Sequence, residues 1–299
     1  MGYRDYATAK GHIVDANGHG DFTTIGAALT AASSGQTIFI MPGTYAENPT
    51  LKAGVNLAAY DCDALTPNVT INGKCTFTGA GTVTISGIQL QTNSDYLLAV
   101  TGSAASIVYL KNCYLNCLNN TGINYTNSNG SSSINLIDCY GNIGTTGIGL
   151  FTASSAGFMR IQYSYFTNTG GSTTASTISS GSMITEWCVL PIVITTSSTS
   201  TFESRYCDHH PANAIPLTIG GSTTNNISHC KITGGSASGV SVGTGSTVYL
   251  YQCDINSSNT NAITGLGTLN AGIITFIGPS STINTSTVNK LTTYGGTIV

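Results

Sequence analysis

Between Val108 and Ile255 the chain keeps returning to one short phrase: an apolar residue, any residue, a second apolar residue, two of any kind, then a cysteine. VYLKNC ending at Cys113, INLIDC at Cys139 and VYLYQC at Cys253 are the clearest copies. MRIQYS puts Ser164 in the cysteine slot, and Cys188, Cys207 and Cys230 close the remaining copies. The slots lie 26, 25, 24, 19, 23 and 23 residues apart. Self-similarity at such a period is the mark of a repeat architecture and outranks any local secondary-structure preference. Each copy alternates apolar and polar residues with period 2 and runs into Gly, Asn, Ser and Thr, which is the pattern of a short strand followed by a turn. No 3.6-residue periodicity of useful length lies between the copies, so βαβ units and leucine-rich repeats are disfavoured. A coil of about two dozen residues made of short strands and polar turns fits a parallel β-helix. In that arrangement the slots stack about 4.8 Å apart. The cysteines then form an inward ladder, as do Leu115, Phe166, Leu190, Ile232 and Ile255 two places later.

Composition agrees with a solenoid and excludes several functions. The 299 residues are enough for a long buried core in one quasi-linear domain. Only 7% of them are charged, against about 25% in ordinary domains, so the surface must be built from Ser, Thr, Asn, Gly and Tyr. Apolar residues make up 40% in regular alternation, which separates the chain from disordered polar sequences. The net charge of −3, with 9 scattered basic residues, leaves no nucleic-acid footprint. No apolar run approaches the roughly 20 residues a bilayer span needs, so no membrane partner is expected. The opening MGYRDYATAKGH lacks the apolar core of a secretory signal, which points to assembly in a cytoplasm or to a chain cut from a longer one. Nine cysteines cannot all pair. Parallel side chains on stacked strands suit disulfide geometry poorly, so reduced core thiols are expected. Cys113 and Cys117 are the only close pair, and neither a metal site nor a cofactor is expected.

The segment HIVDANGHGDFTTIGAALTAASSGQTIFIMPGTYAENPTLKAGVNLAAY, residues 12–60, resembles the opening of many pectin-lyase-like proteins. That resemblance implies a right-handed parallel β-helix. Phe22, Ile25, Ala28 and Leu29 have the spacing of one short amphipathic helix, which would cap the otherwise open first sheet edge. Pro42-Gly43 reads as a turn, and Ile88 fills the slot one period before Cys113. The expected layout is a lead-in over 1–11 and an all-β solenoid over 12–299, with the cap in 12–34, regular coils over about 36–256 and terminal coils over 257–299. The stretch GPSSTINTSTVNKLTTYGGT is similar to the ends of β-helical repeats in phage tail-fibre proteins.

The catalytic signatures of the pectin-acting enzymes are missing. No segment matches the QDTL, DFIFG or WGR types of pectin methylesterases, or the NTD and DD segments of polygalacturonases. Gly18-His19-Gly20 matches a polygalacturonase GHG literally, yet it precedes the cap, far from any acid pair, and a glycine-rich turn accounts for it. Asp61 and Asp63 are the only DxD-like acidic pair, and they too read as a turn. The repeat still maps an outward face. Four, two and one residues before the slots it collects Arg160, Glu203, Glu186, Arg205, Tyr163, Trp187, Tyr206 and His229, with Asp208, His209 and His210 just beyond. Glu186, Glu203 and Asp208 are candidate catalytic acids, because glycoside hydrolysis needs two carboxyls about 5–9.5 Å apart. A surface ion pair between Glu186 and Arg205 is the preferred structural account. Tyr163, Trp187, Tyr206, Arg160, Arg205 and His229 are candidate carbohydrate-binding residues.

The leading expectation is a non-enzymatic, β-helical module of a phage tail fibre or tailspike-like adhesin that meets a cell-surface polysaccharide. Such proteins resemble one another in being homotrimers, and the location implied is a virion, extracellular after assembly in the host cytoplasm. The alternatives are a polysaccharide-degrading hydrolase or lyase, and a bacterial surface or filament protein.

Overall fold

A computed structural model of the chain describes residues 11–61, 67–92, 96–117, 122–143, 151–153, 157–168, 175–197, 199–211, 214–221, 223–259, 261–277, 282–285 and 287–292. Residues 1–10 of the lead-in, Cys62 and Asp63, and the ends of the tail-fibre-like stretch lie outside these residues, while Gly11 already opens the first strand, Gly11–Val14. The chain winds as the right-handed parallel β-helix that its amino-terminal resemblance implied. Three parallel sheets of 13, 11 and 10 strands form its faces, and successive coils add one strand to each. One coil shows the plan: Ser106–Lys111 in the first sheet, Tyr114–Cys117 in the second and Ile123–Tyr125 in the third, before Ser133–Ile137 starts the next. Register is kept through the middle coils, with Leu110 opposite Leu136 and Leu115 opposite Gly141, and shifts at Thr233/Gly235, Asn261/Ile263 and Ala271/Gly272. Beyond residue 256 the winding continues, Ile274 standing opposite Cys253.

Period-2 alternation points every second side chain inward, and these form one continuous apolar core from Val14 to Ile283. The slot cysteines Cys113, Cys139, Cys188, Cys207, Cys230 and Cys253 belong to it, as does Ile88. Each slot thiol lies 3.2–3.5 Å from the carbonyl two residues back, as Cys188 does from Glu186 O and Cys207 from Arg205 O. Ser164 donates to Gln162 O at 2.8 Å in the same way. Serine therefore replaces cysteine there with the same donor contact and without changing the coil, while Ile88 and Ile274 fill the slot with apolar bulk alone. The column two places later holds Leu115, Phe166, Leu190, Ile232 and Ile255, all buried. Gly141 has no room for a side chain: a Cβ there would meet Leu115 O at 2.5 Å and the Phe166 ring at 2.8 Å.

The eight described cysteines are buried and unpaired. Burial pushes the thiols of Cys75 and Cys117 up to about 12. A thiol reagent is therefore expected to leave all eight unlabelled in the folded protein and to reach them only in denaturant. Labelling of several thiols per native chain would contradict this packing.

The cap is the helix Ile25–Ala31, whose Ile25, Ala28 and Leu29 are buried. Thr24 is its N-cap, and the Glu47 carboxylate accepts from Ile25 N and Gly26 N, both at 2.9 Å. Lys52 Nζ donates to Thr30 O and Ala32 O at the other end. One loop thus places a negative charge at the helix N-terminus and a positive one at its C-terminus, as the helix dipole favours. Phe22 lies outside this helix: it bridges to Val14 and meets the His12 ring edge-on at 5.1 Å. Gly43, expected in a turn, opens the strand Gly43–Tyr45 after a bend at Pro42.

Candidate functional site

Between the first and second sheets each coil turns on a single residue, the one just before the slot. Asn112, Asp138, Tyr163, Trp187, Tyr206, His229 and Gln252 all occupy it, with φ between 50° and 57°. Gly87 holds the same place one coil earlier at φ 67°. The left-handed conformation bends the chain without interrupting the inter-coil hydrogen bonds. Trp187 N donates to Arg205 O, Tyr206 N to Ser228 O and His229 N to Tyr251 O, at 2.9–3.1 Å. Such a conformation costs an L-residue about 1–2 kcal/mol. Glycine, asparagine and aspartate bear it most easily, and a bulky ring is an outlier there. Three tyrosine or tryptophan residues on consecutive coils, Tyr163, Trp187 and Tyr206, make an unusual concentration of such outliers, and His229 extends the row by one coil.

The rings stand outside the solenoid: Tyr163 and Trp187 are each 55% exposed and Tyr206 is 43% exposed. Trp187 and Tyr206 stack with centroids 4.2 Å apart and planes 9° from parallel. Tyr206 stacks on His229 at 4.6 Å, and Tyr251 closes the row edge-on at 5.9 Å. Each stacked pair returns about 0.5–1.5 kcal/mol, which offsets part of the backbone strain. Stacking also covers the faces of Tyr206, so the row offers mostly ring edges to solvent. The side of Trp187 turned toward Tyr163 makes no ring contact among the described residues.

A shallow hollow of about 400 Å³ runs beside the row. Trp187, Tyr206 and His229 form one wall and Val189, Asp208 and Lys231 the other, with Cys188 and Cys207 at its floor. The second wall is the column just after the slot, in register from Tyr165 through Val189, Asp208 and Lys231 to Asp254. The sequence reading stopped one column short of it and so missed Val189 and Lys231. Their spacing from the slot was the available signal. A larger hollow of about 580 Å³ lies between the cap helix and the 47–52 loop, but its Glu47 and Lys52 are engaged by the helix ends.

The candidate acids fall into two groups. Arg205 bridges Glu186, at 3.4 Å, and Glu203, while Gln162 Nε2 donates to the other Glu186 oxygen at 2.7 Å. A glycosidase holds the scissile bond between its two carboxyls; here the guanidinium occupies that position. Asp208 stands across the corner on the second sheet and takes His210 Nδ1 at 3.1 Å and Lys231 Nζ at 3.6 Å. Arg160 lies on the first sheet with its guanidinium over the Phe158 ring, 5.2 Å from the centroid and apart from the hollow.

His209, placed just beyond the outward face by the repeat, is fully buried in the core column of Leu190 and Ile232. Its Nε2 lies 2.8 Å from Ser204 Oγ, which accepts from Thr185 Oγ1 at 2.9 Å. Its Nδ1 has no partner. Burial lowers its pKa, so it sits in the core as a neutral imidazole. His19 of the GHG segment is exposed at a turn 3.3 Å from Asp15, whose carboxylate accepts from Asn17 N. That backbone hydrogen bond holds Asp15 below the usual carboxylate range.

No family model and no curated protein matches the chain. Among solved structures, a pectin methylesterase from carrot aligns over 82% of this chain and 82% of its own, at 14% identity and a TM-score of 0.48. The A-module of a mannuronan C-5 epimerase from Azotobacter vinelandii aligns over 88% and 89%, at 10% identity and 0.43. The enzymatically active domain of tailspike protein 4 of bacteriophage CBA120 aligns over 78% of this chain and 39% of that one, at 12% identity and 0.41. Likenesses at this level bring no residue role across.

Proposed function

We propose that the chain is a non-enzymatic β-helical module that binds carbohydrate along the Tyr163–Trp187–Tyr206–His229 row. The observation that carries this reading is the row's cost. Packing does not require four exposed rings at left-handed positions, where Gly87 and Asn112 serve the same corner three and two coils before Tyr163. Strain kept at such a place is a pointer to function. Rings with polar edges beside a shallow, largely apolar hollow rimmed by Asp208 and Lys231 suit a sugar, which has apolar faces and a hydroxyl rim. A stiff solenoid of this kind would serve as the shaft or tip of a tail fibre or tailspike-like adhesin. A homotrimer in a virion is the assembly this reading includes, and light scattering tests it.

Trp187 is the only tryptophan in the chain, so its emission reports on the row alone. Titration with a panel of oligosaccharides is expected to shift or quench that emission saturably for at least one of them. No reducing ends should be released in the same samples. Silent fluorescence across the panel would remove the binding reading, and sustained product release would replace it with an enzymatic one.

A further inference from the structure

Resting on that reading, we propose that the row takes neutral glycan chains and discriminates against uronate-rich ones. Recognition of a uronate needs a cation free to meet its carboxylate. The two fixed cations at the corner are both engaged: Arg205 by Glu186 and Glu203, and Lys231 by Asp208. His210 is engaged by Asp208 as well. Asp254, in register with Lys231 on the next coil, adds a fourth carboxylate to the same surface. Carboxylates therefore outnumber fixed cations there, and an acidic sugar would have to break an existing pair and face the carboxylate it displaced. Arg160 does not change this balance, since its guanidinium covers Phe158 on the first sheet.

What the hollow does offer fits uncharged sugars. The Tyr206 phenol, the Trp187 indole N–H and the His229 ring nitrogens are hydrogen-bonding groups. Asp208 and Glu186 keep lone pairs that accept from sugar hydroxyls while remaining paired. Val189 adds an apolar patch to the wall beside Asp208. The Trp187 face turned toward Tyr163 is the place for the apolar face of one pyranose. The rest of the chain would run along the ring edges, parallel to the solenoid axis, one sugar to roughly one coil spacing of about 4.8 Å.

The test is affinity electrophoresis of the full chain at neutral pH through gels containing neutral polysaccharides (galactomannan, glucomannan, dextran) or acidic ones (polygalacturonate, alginate). Retardation is expected in at least one neutral gel, at an affinity at least fivefold above any acidic gel and insensitive to added salt. Asp208→Asn frees Lys231 and is expected to raise the affinity for polygalacturonate severalfold, in a salt-sensitive way. Tighter binding of the wild type to an acidic polysaccharide would overturn the proposed selectivity while leaving carbohydrate binding in place. No gain with Asp208→Asn would overturn the paired cations as its cause. No retardation in any gel would overturn the carbohydrate reading itself, and the selectivity with it.

Discussion

Truncating Phe166 to alanine is expected to cost about 3–5 kcal/mol of stability, the largest loss from any single side chain considered. Phe166 is 1% exposed and fills more than its own coil, because the neighbouring position in its column is Gly141. A Cβ at Gly141 would already press on Leu115 O and the Phe166 ring, so the ring takes the room of two side chains. Removing it leaves a void between Leu115 and Leu190 that backbone held in parallel register cannot close. Urea denaturation followed by circular dichroism measures the loss. A midpoint close to that of the wild type would mean that the core relaxes far more freely than its register allows.

Replacing His209 by leucine is expected to stabilise the protein by about 1–3 kcal/mol, the typical cost of a buried polar group left without a partner. The neighbours in its column, Leu190 and Ile232, show that the site accepts a branched aliphatic side chain. Ser204 would keep Thr185 and Cys230 as partners. The same histidine makes stability pH-dependent. Its folded-state pKa is lowered by burial, so the unfolded chain binds the proton first as pH falls below about 6.5. Its contribution is intact above that pH and is lost progressively below it. The wild type should therefore lose more stability than His209→Leu between neutral pH and pH about 5, as read from melting temperatures across that range. Parallel pH profiles would show that His209 takes up its proton as easily folded as unfolded.

The fold was legible in the sequence because its signal repeats. The slot recurs at nearly constant spacing, and each copy alternates in register, so coil length and the inward columns followed from counting. The reason for a thiol at the slot was not legible. Only the structure shows that Cys188 and Ser164 answer the same carbonyl, two residues back. The row of outward rings was found at Tyr163, Trp187, Tyr206 and His229, but their left-handed backbone was hidden. Tyr and Trp argue against that conformation, and only Gly87, Asn112 and Asp138 in the column hinted at it. Nothing in the spacing told how the rings lie against one another: the faces of Tyr206 are covered by its neighbours and its edge is what faces solvent. Glu186, Glu203 and Arg205 do come together, as the ion pair preferred over a catalytic pair and with one more member. His209 was left out of the inward column, although its place two after the slot already pointed it inward, and in the coil that position decides.

The central claim is that the exposed rings on the corner serve binding and are not needed for the fold. The double variant Trp187→Gly with Tyr206→Gly tests it most directly, because glycine is at ease at φ near 55°. Relief of about 1–2 kcal/mol of strain at each position offsets the lost stacking and the added chain entropy. The account predicts a melting temperature within a few degrees of the wild type and loss of retardation in every polysaccharide gel that retards the wild type. Undiminished retardation, or a chain that no longer folds, would contradict it.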